Sequence, residues 1–256
     1  MTRPAFRKIV LGLAVVPLAL GLAACGKKAT DATSTDAPTS STALANVAPP
    51  AGKSWSDVVE KTPEGGFRIG NPEAPIKLVE YGALSCSHCA KFATTGFEKL
   101  RGTYVNSGRV SYELRFFMLN AYDFPATLLA TCGSTEAVLP LAEQFWAWQP
   151  NMFEKLQAAD KAKLEAIQSM PKEQQLPAIA EVSGMTEFFA SRGISHDQAA
   201  SCLADTARAK ALADQTETAT KDFNVTGTPT FLINGNSVGS MEFEELEAKL
   251  QQAGAR

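Results

Sequence analysis

The stretch that decides the fold is Ile76-Lys77-Leu78-Val79-Glu80-Tyr81-Gly82-Ala83-Leu84-Ser85-Cys86-Ser87-His88-Cys89. Its first half is a mostly apolar run that predicts a buried strand, and the residues after Cys86 place apolar side chains on one helical face. The Cys86-Ser87-His88-Cys89 motif therefore lies where a strand leads into a helix. Two thiols at this spacing can close a disulfide, open it, or pass it to another protein.

The helix that follows the motif makes Cys86 the candidate nucleophile. The unpaired N–H groups and the positive end of a helix N-terminus favour thiolate over thiol, and cysteines of low pKa are the reactive ones. An imidazolium on His88 would lower the pKa of Cys86 further, and the alternative is that His88 is only a surface residue in a tight turn. Cys89 is then the buried resolving thiol.

Two other interpretations of the cysteine pair are a static local disulfide and half of a zinc site. Structural zinc takes four ligands, usually from two such pairs. The chain has one Cys-x-x-Cys pair and two histidines, one of them inside the motif. The sequence therefore predicts a redox pair that needs no metal and no cofactor.

Glu80 is unusual because a carboxylate in a buried central strand must be paired or neutral. Burial would raise its pKa and suit it to take the proton from Cys89 when the disulfide breaks. The alternatives are a half-exposed strand residue and a simple ion pair with Arg115.

The N-terminus carries Arg3, Arg7 and Lys8, followed by an apolar run that ends in Leu22-Ala23-Ala24-Cys25. The run is shorter than the roughly 20 residues that a membrane span needs. It resembles a bacterial lipoprotein signal, so residues 1–24 are predicted to be removed and Cys25 to be acylated. An ordinary cleaved signal and an uncleaved anchor are the alternatives. Residues 25–53, rich in Ala, Thr, Ser and Pro, are predicted to form a disordered tether.

Export also determines how the remaining cysteines are interpreted, because exported proteins can keep lasting disulfides. With Cys25 acylated and the motif pair closed locally, Cys132 and Cys202 remain. One structural disulfide between them is predicted, with free thiols or a second relay pair as alternatives. The net charge of −3 gives no indication of a nucleic-acid partner.

Along the chain the patterns predict a short helix at 55–60 and strands near 66–69, 76–81 and 110–119. The helix after the motif is expected to run to about residue 106. From 123 to 222 only helical patterns occur. A hairpin at 230–238, turning at Asn234-Gly235, and a final helix follow.

The motif on a strand-to-helix turn, Glu80 six residues before Cys86, and Thr226-Gly227-Thr228-Pro229-Thr230-Phe231 far downstream resemble the DsbA-type thiol-disulfide oxidoreductases. The resemblance covers most of the chain after the tether. It implies an α/β, thioredoxin-like fold formed by residues 54–122 and 223–256, interrupted by a helical insertion at 123–222. It also implies an acidic Cys86.

The Thr228-Pro229 bond would be trans on composition alone, since few X-Pro bonds are cis. The resemblance implies instead a cis-proline that packs against the cysteines, with Thr228 offering its backbone to a bound substrate strand. Oxidases of this family often have an aliphatic residue at that position, and isomerases often have threonine.

Together these points predict a monomeric, lipid-anchored protein that faces the periplasm and oxidises reduced, unfolded exported proteins. By resemblance, a quinone-linked membrane protein similar to DsbB would restore its disulfide. The alternatives are an isomerase or reductase that uses the same cysteines, and a non-catalytic peptide-binding lipoprotein.

Overall fold

A six-stranded mixed sheet forms the centre of the protein, of which the computed structural model describes residues 39–256. The strands follow the spatial order β1-β2-β4-β3-β5-β6. Only β3 and β4 are parallel, and the other neighbouring pairs are antiparallel. The bounds are β1 (Val59–Lys61), β2 (Phe67–Ile69), β3 (Ile76–Gly82), β4 (Val110–Phe116), β5 (Thr230–Ile233) and β6 (Asn236–Gly239).

Helices follow β3 and β6, and all the regular structure between β4 and β5 is helical. The first helix, α1, follows β3 directly, and the last, α10, follows β6. The bounds are α1 (Ser87–Thr95), α2 (Phe97–Lys99), α3 (Asp123–Ala130), α4 (Thr135–Ala158), α5 (Lys161–Ser169), α6 (Lys172–Val182), α7 (Met185–Ala190), α8 (His196–Leu203), α9 (Thr206–Phe223) and α10 (Phe243–Gln252).

The two faces of the sheet bury different layers. Alternate residues of β3 point to opposite sides, as the two-residue period of a strand requires. Leu78 joins the main core with aromatic residues of α1, α4 and α10, whereas Val79 and Tyr81 join a smaller core with Ala219 of α9. Helix α9 therefore covers the sheet itself, although the pattern assigned its residues to the insertion.

Three local expectations were wrong. The helix expected at 55–60 is a single turn, Trp55–Asp57, followed by the edge strand β1, and β4 ends at Phe116 rather than near residue 119. The helix after the motif is interrupted at Gly96, although helical turns continue to Val105, close to the expected end. A Cβ atom there would lie 2.5 Å from Cβ of Phe243, so only glycine allows α10 to pack so closely.

The end of the predicted tether is bound to the domain rather than free. Residues 40–47, called here the N-terminal strap, make backbone hydrogen bonds from Ser40 to Gln252, from Leu44 to Gly254 and from Val47 to Ser107, each 2.8–2.9 Å long. Leu44 also packs on the main core. Because these contacts satisfy backbone groups and bury apolar surface, the strap is ordered despite its polar composition.

The predicted signal at 1–24, the acylation site Cys25 and the first part of the tether lie outside the described residues. Within 39–256, none of the helices combines the length and apolar character needed to cross a membrane.

Candidate active site

The turn between β3 and α1 places Cys86 immediately before the first residue of the helix. Cys86 is the N-cap of α1, and the backbone N–H of Cys89 donates to its Sγ at 3.4 Å. Cys86 is 8% exposed and Cys89 is fully buried, and both are free thiols. An attacking sulfur from outside can therefore reach Cys86 and not Cys89.

The two thiols differ sharply in acidity. The pKa of Cys86 is lowered to about 5, mainly by the Cys89 thiol and further by the Thr228 side chain and the backbone N–H groups of Cys89 and His88, which together outweigh burial. Burial raises the pKa of Cys89, and its hydrogen bond to Cys86 raises it further. At neutral pH Cys86 is therefore a thiolate and Cys89 a thiol.

His88 is exposed at the surface of the first turn of α1. Its backbone N–H is among the groups that lower the pKa of Cys86. The expected contribution of its imidazole stays a prediction.

Glu80 lies on β3 on the same side of the sheet as the cysteines and is fully buried. The hydroxyl of Tyr112 donates to its Oε2 at 2.7 Å, while Oε1 has no partner among the described residues. Burial raises the pKa of Glu80 to about 8, partly offset by the Tyr112 hydrogen bond and by the neighbouring Cys89 thiol. Arg115 pairs instead with Glu113 at 2.7 Å, so the ion pair considered for Glu80 is wrong.

The loop before β5 contacts the redox turn directly. The Thr228-Pro229 peptide bond is cis, and the Cys86 thiol donates to the Thr228 carbonyl at 3.1 Å. The Thr228 hydroxyl is buried and makes no hydrogen bond within the described part of the chain. A thiolate cannot donate to the carbonyl, so on ionisation of Cys86 this hydroxyl is the group free to donate to the sulfur.

Cys132 and Cys202 form a disulfide. Cys132 lies just beyond the end of α3, and Cys202 lies in the last turn of α8. The bond therefore joins the end of α3 to α8, within the segment between β4 and β5. This disulfide was predicted from the four cysteines other than Cys25.

Sequence reasoning missed a set of buried side chains that hold the 83–86 turn. They all come from helices α3 and α4, and they are Asp123, Trp146 and Gln149. One signal could have identified Gln149. It follows Phe145 by four residues and precedes Met152 by three, so it occupies the apolar face of α4, where a polar side chain needs a buried partner.

The described residues contain no group of three or more His, Cys, Asp or Glu side chains arranged to hold a metal ion. The cysteines are instead surrounded by a buried carboxyl, a cis-proline loop and a helix N-terminus. This arrangement can stabilise a thiolate, store a proton beside the buried thiol and receive an extended chain.

Comparison with known proteins gives matches that span most of the domain. A family model described as thioredoxin matches residues 62–252. A putative protein-disulfide oxidoreductase of Rickettsia bellii is 24% identical over 197 residues, covering 77% of this chain and 67% of the relative. The chain spans about two thirds of the length of the curated relatives that it matches.

Two solved structures are similar to this one. The crystal structure of a protein-disulfide isomerase from Novosphingobium aromaticivorans has a TM-score of 0.68 at 28% identity, covering 72% of this chain and 94% of that chain. Wolbachia pipientis α-DsbA1 has a TM-score of 0.57 at 19% identity, covering 75% and 92%. These matches confirm the predicted α/β, thioredoxin-like fold.

Proposed function

The chain belongs to the thioredoxin family and resembles its DsbA-type thiol-disulfide oxidoreductases, and we propose that it introduces disulfides into exported proteins through Cys86 and Cys89. The observation that carries this proposal is the contrast between the two thiols, an acidic Cys86 with a pKa of about 5 beside a Cys89 whose pKa burial raises. A stabilised thiolate is a good leaving group, and a disulfide containing it is readily passed on.

The reaction begins with the oxidised Cys86-Cys89 pair. A substrate thiolate attacks Sγ of Cys86, a substrate-to-Cys86 disulfide forms, and the Cys86-Cys89 bond breaks with its electron pair on Cys89. A second substrate thiolate then attacks the substrate sulfur of this mixed disulfide and displaces Cys86 as thiolate. Overall, two substrate thiols lose two electrons and two protons to become a disulfide, and the protein becomes a dithiol.

Glu80 supplies the proton that Cys89 needs as it leaves. A carboxyl with a pKa of about 8 is mostly protonated at neutral pH, and Cys89 lies close enough to hydrogen-bond with it. The proton passes to the Cys89 sulfur as the disulfide breaks, and Glu80 takes it back when the disulfide is restored. The sequence-based expectation had Glu80 take a proton from Cys89 when the disulfide breaks, whereas in the proposed reaction the proton moves from Glu80 to Cys89 at that step.

We also propose that substrates bind as extended chains beside the cis-proline loop. The carbonyl of Thr228 lies 3.1 Å from Sγ of Cys86, so this loop borders the reacting atom. A substrate strand that pairs with this loop would bring its own cysteine to the Cys86 sulfur, and backbone pairing tolerates many sequences. This suits an enzyme that acts on unfolded proteins.

The proposed setting is the periplasm, with a lipid on Cys25 as the anchor and a quinone-linked membrane protein as the reoxidant. Support comes from the lipoprotein-type N-terminus and from the compatibility of an exported compartment with the Cys132-Cys202 disulfide. Intact-mass analysis of protein from membranes should find acylated Cys25 as the first residue. An unmodified Cys25 would refute the anchor without affecting the redox proposal.

The decisive experiment for the redox direction is to equilibrate the Cys86-Cys89 pair with glutathione and to compare two activities. We expect a strongly oxidising pair that oxidises a reduced, unfolded protein faster than it rearranges one with scrambled disulfides. A reduction potential of the Cys86-Cys89 pair near that of reducing thioredoxins would contradict the proposal.

An isomerase is the second candidate, and a specific observation favours it. Thr228 is the residue type associated above with isomerases, and one similar solved structure carries that name. Efficient rescue of scrambled substrate by the wild-type protein would favour this alternative. Peptide binding without any thiol turnover would instead indicate a non-catalytic binding protein.

A further inference from the structure

The turn at 83–86 is almost entirely enclosed, and its peptide groups need partners. Ala83 and Leu84 have no exposed surface, and Ser85 and Cys86 are less than a tenth exposed. A buried carbonyl without a hydrogen bond is costly, so the source of each partner determines how firmly the turn is held.

Those partners come from α3 and α4, across a large separation in sequence. Asp123 accepts from the Ser85 backbone N–H at 2.8 Å, and Nε1 of Trp146 donates to the Ala83 carbonyl at 3.0 Å. Nε2 of Gln149 donates to the Leu84 carbonyl at 2.6 Å and to the Cys86 carbonyl at 3.1 Å.

Gln149 differs from the other two because it also donates a hydrogen bond to the backbone carbonyl of Cys86, the nucleophile. It is only 4% exposed, and one amide group bridges the carbonyls on either side of Ser85. The Ala83 carbonyl also accepts from the Cys86 N–H, and the Cys86 carbonyl also accepts from Ala90. The Leu84 carbonyl has no other donor among the described hydrogen bonds, so loss of Gln149 leaves it unpaired.

We propose that Gln149 is a positioning residue that sets the reactivity of Cys86 by fixing the orientation of the Cys86 peptide. The sulfur is held by two short contacts, one from the Cys89 N–H and one to the Thr228 carbonyl. Rotation of the Cys86 peptide moves Sγ relative to both. The helical segment between β4 and β5 thereby determines the chemistry of a turn that belongs to the sheet domain.

The test measures the ionisation of Cys86 in the reduced, full-length protein, by thiolate absorbance and by the rate of alkylation across pH. In Gln149→Met, which keeps the side-chain volume and removes the donor, we expect the titration midpoint of Cys86 to rise by about one pH unit. This is a tenfold fall in the thiolate-to-thiol ratio at fixed pH. Gln149→Asn, whose amide is one methylene shorter, should shift it in the same direction.

Gln144→Met is the matched control, since it makes the same change on the same helix at an exposed residue that bonds to Pro140 and Arg192. Met152→Ala, a buried change on α4, should lower the melting temperature without moving the midpoint. The other titratable groups around Cys86 are Cys89 and His88 on α1, Glu80 on β3 with its partner Tyr112 on β4, and Asp123 on α3, and these variants change none of them.

An unchanged midpoint in folded Gln149→Met would overturn the inference. Failure of both Gln149 variants to fold, with Gln144→Met folding normally, would overturn it equally by assigning Gln149 to stability alone. The inference rests on thiol exchange at Cys86, but the titration needs no substrate. Its outcome is therefore independent of whether the protein proves to be an oxidase or an isomerase.

Discussion

The chain contains two cysteine pairs in contrasting surroundings. Cys86 and Cys89 are close in sequence, occupy the start of a helix and are free thiols, whereas Cys132 and Cys202 are 70 residues apart and are joined. The first pair has a buried carboxyl and a cis-proline loop beside it. The second pair is instead bordered by Gln198 of α8, whose side-chain amide donates to the Cys132 carbonyl at 3.1 Å, and by Arg208, whose guanidinium lies 3.8 Å from Sγ of Cys202.

The contrast shows that spacing alone does not make a cysteine pair reactive. A helix N-terminus stabilises the thiolate of Cys86, and in the proposed reaction Glu80 supplies a proton to the buried Cys89, so breaking that disulfide has a low cost. The Cys132-Cys202 bond closes a long loop and restricts the unfolded chain, which favours keeping it intact. The five predictions that follow test this division between a reactive and a structural pair.

The largest expected effect follows from replacing the nucleophile. Cys86→Ser should lose essentially all thiol oxidation while the fold persists, because a serine hydroxyl neither ionises nor accepts a disulfide. The measurement is the rate of oxidation of a reduced peptide, with circular dichroism as the check on folding. Substantial remaining activity would mean that the Cys132-Cys202 pair also carries out thiol exchange, so that it is not purely structural.

The second prediction concerns the structural pair. Cys132→Ala/Cys202→Ala should lower the free energy of unfolding by up to about 4 kcal/mol, the loop-closure value for a separation of this size. Thiol oxidation below the melting temperature should stay close to that of the wild type. Loss of activity in a folded double variant would indicate a relay between the pairs.

The third prediction concerns Glu80. Glu80→Gln should slow oxidation about 100-fold, the lower end of the usual contribution of a positioned acid or base. The loss should be greatest in the step that releases Cys89, which single-turnover kinetics can isolate. Equal rates for variant and wild type would remove the proton transfer from the mechanism.

Glu80 and Cys86 also make opposite contributions to the pH dependence of stability in the reduced protein. Glu80, with a pKa raised from 4.5 to about 8, stabilises the fold at low pH and loses that contribution as pH rises through 8. Cys86, lowered from 9.0 to about 5, stabilises it at high pH and loses that contribution as pH falls through 5. Denaturant unfolding of reduced Glu80→Gln should therefore show stability rising with pH between 5 and 8, whereas the wild type stays nearly flat.

The smallest effect is expected from His88→Ala. The backbone N–H that helps to lower the pKa of Cys86 survives this change, and the imidazole is exposed to solvent. We expect the pKa of Cys86 to rise by less than about one unit, since exposed charges are screened by water. A larger rise would show that the imidazolium, rather than the turn, dominates the acidity.

Local patterns explain most of what the sequence predicted. The apolar run before the motif indicated β3, and the cysteines indicated the start of α1. The Asn234-Gly235 pair indicated a hairpin, and both residues have the positive φ angles, 51° and 81°, that such a turn requires. Each of these signals is contained within a few residues.

The features that were missed depend on contacts between distant segments. β1 has three residues and is defined by pairing with β2, which no alternation in its own sequence reveals. The break at Gly96 exists because Phe243 packs against it, and Gln149 acts on a turn 63 residues away. The cis state of Thr228-Pro229 came from family resemblance, because composition favours trans.

The N-terminal strap also determines where the domain can be held. Its hydrogen bonds end at Ser107, just before β4, and at Gly254. They lie at the end of the sheet where β3 and β4 begin, whereas Cys86 follows the opposite end of β3. An attachment through the preceding residues would therefore join the domain beside the C-terminal end of α10, at the end of the sheet away from Cys86. The domain can therefore be attached at one end of the sheet while the turn at the other end remains free to bind and release its substrate.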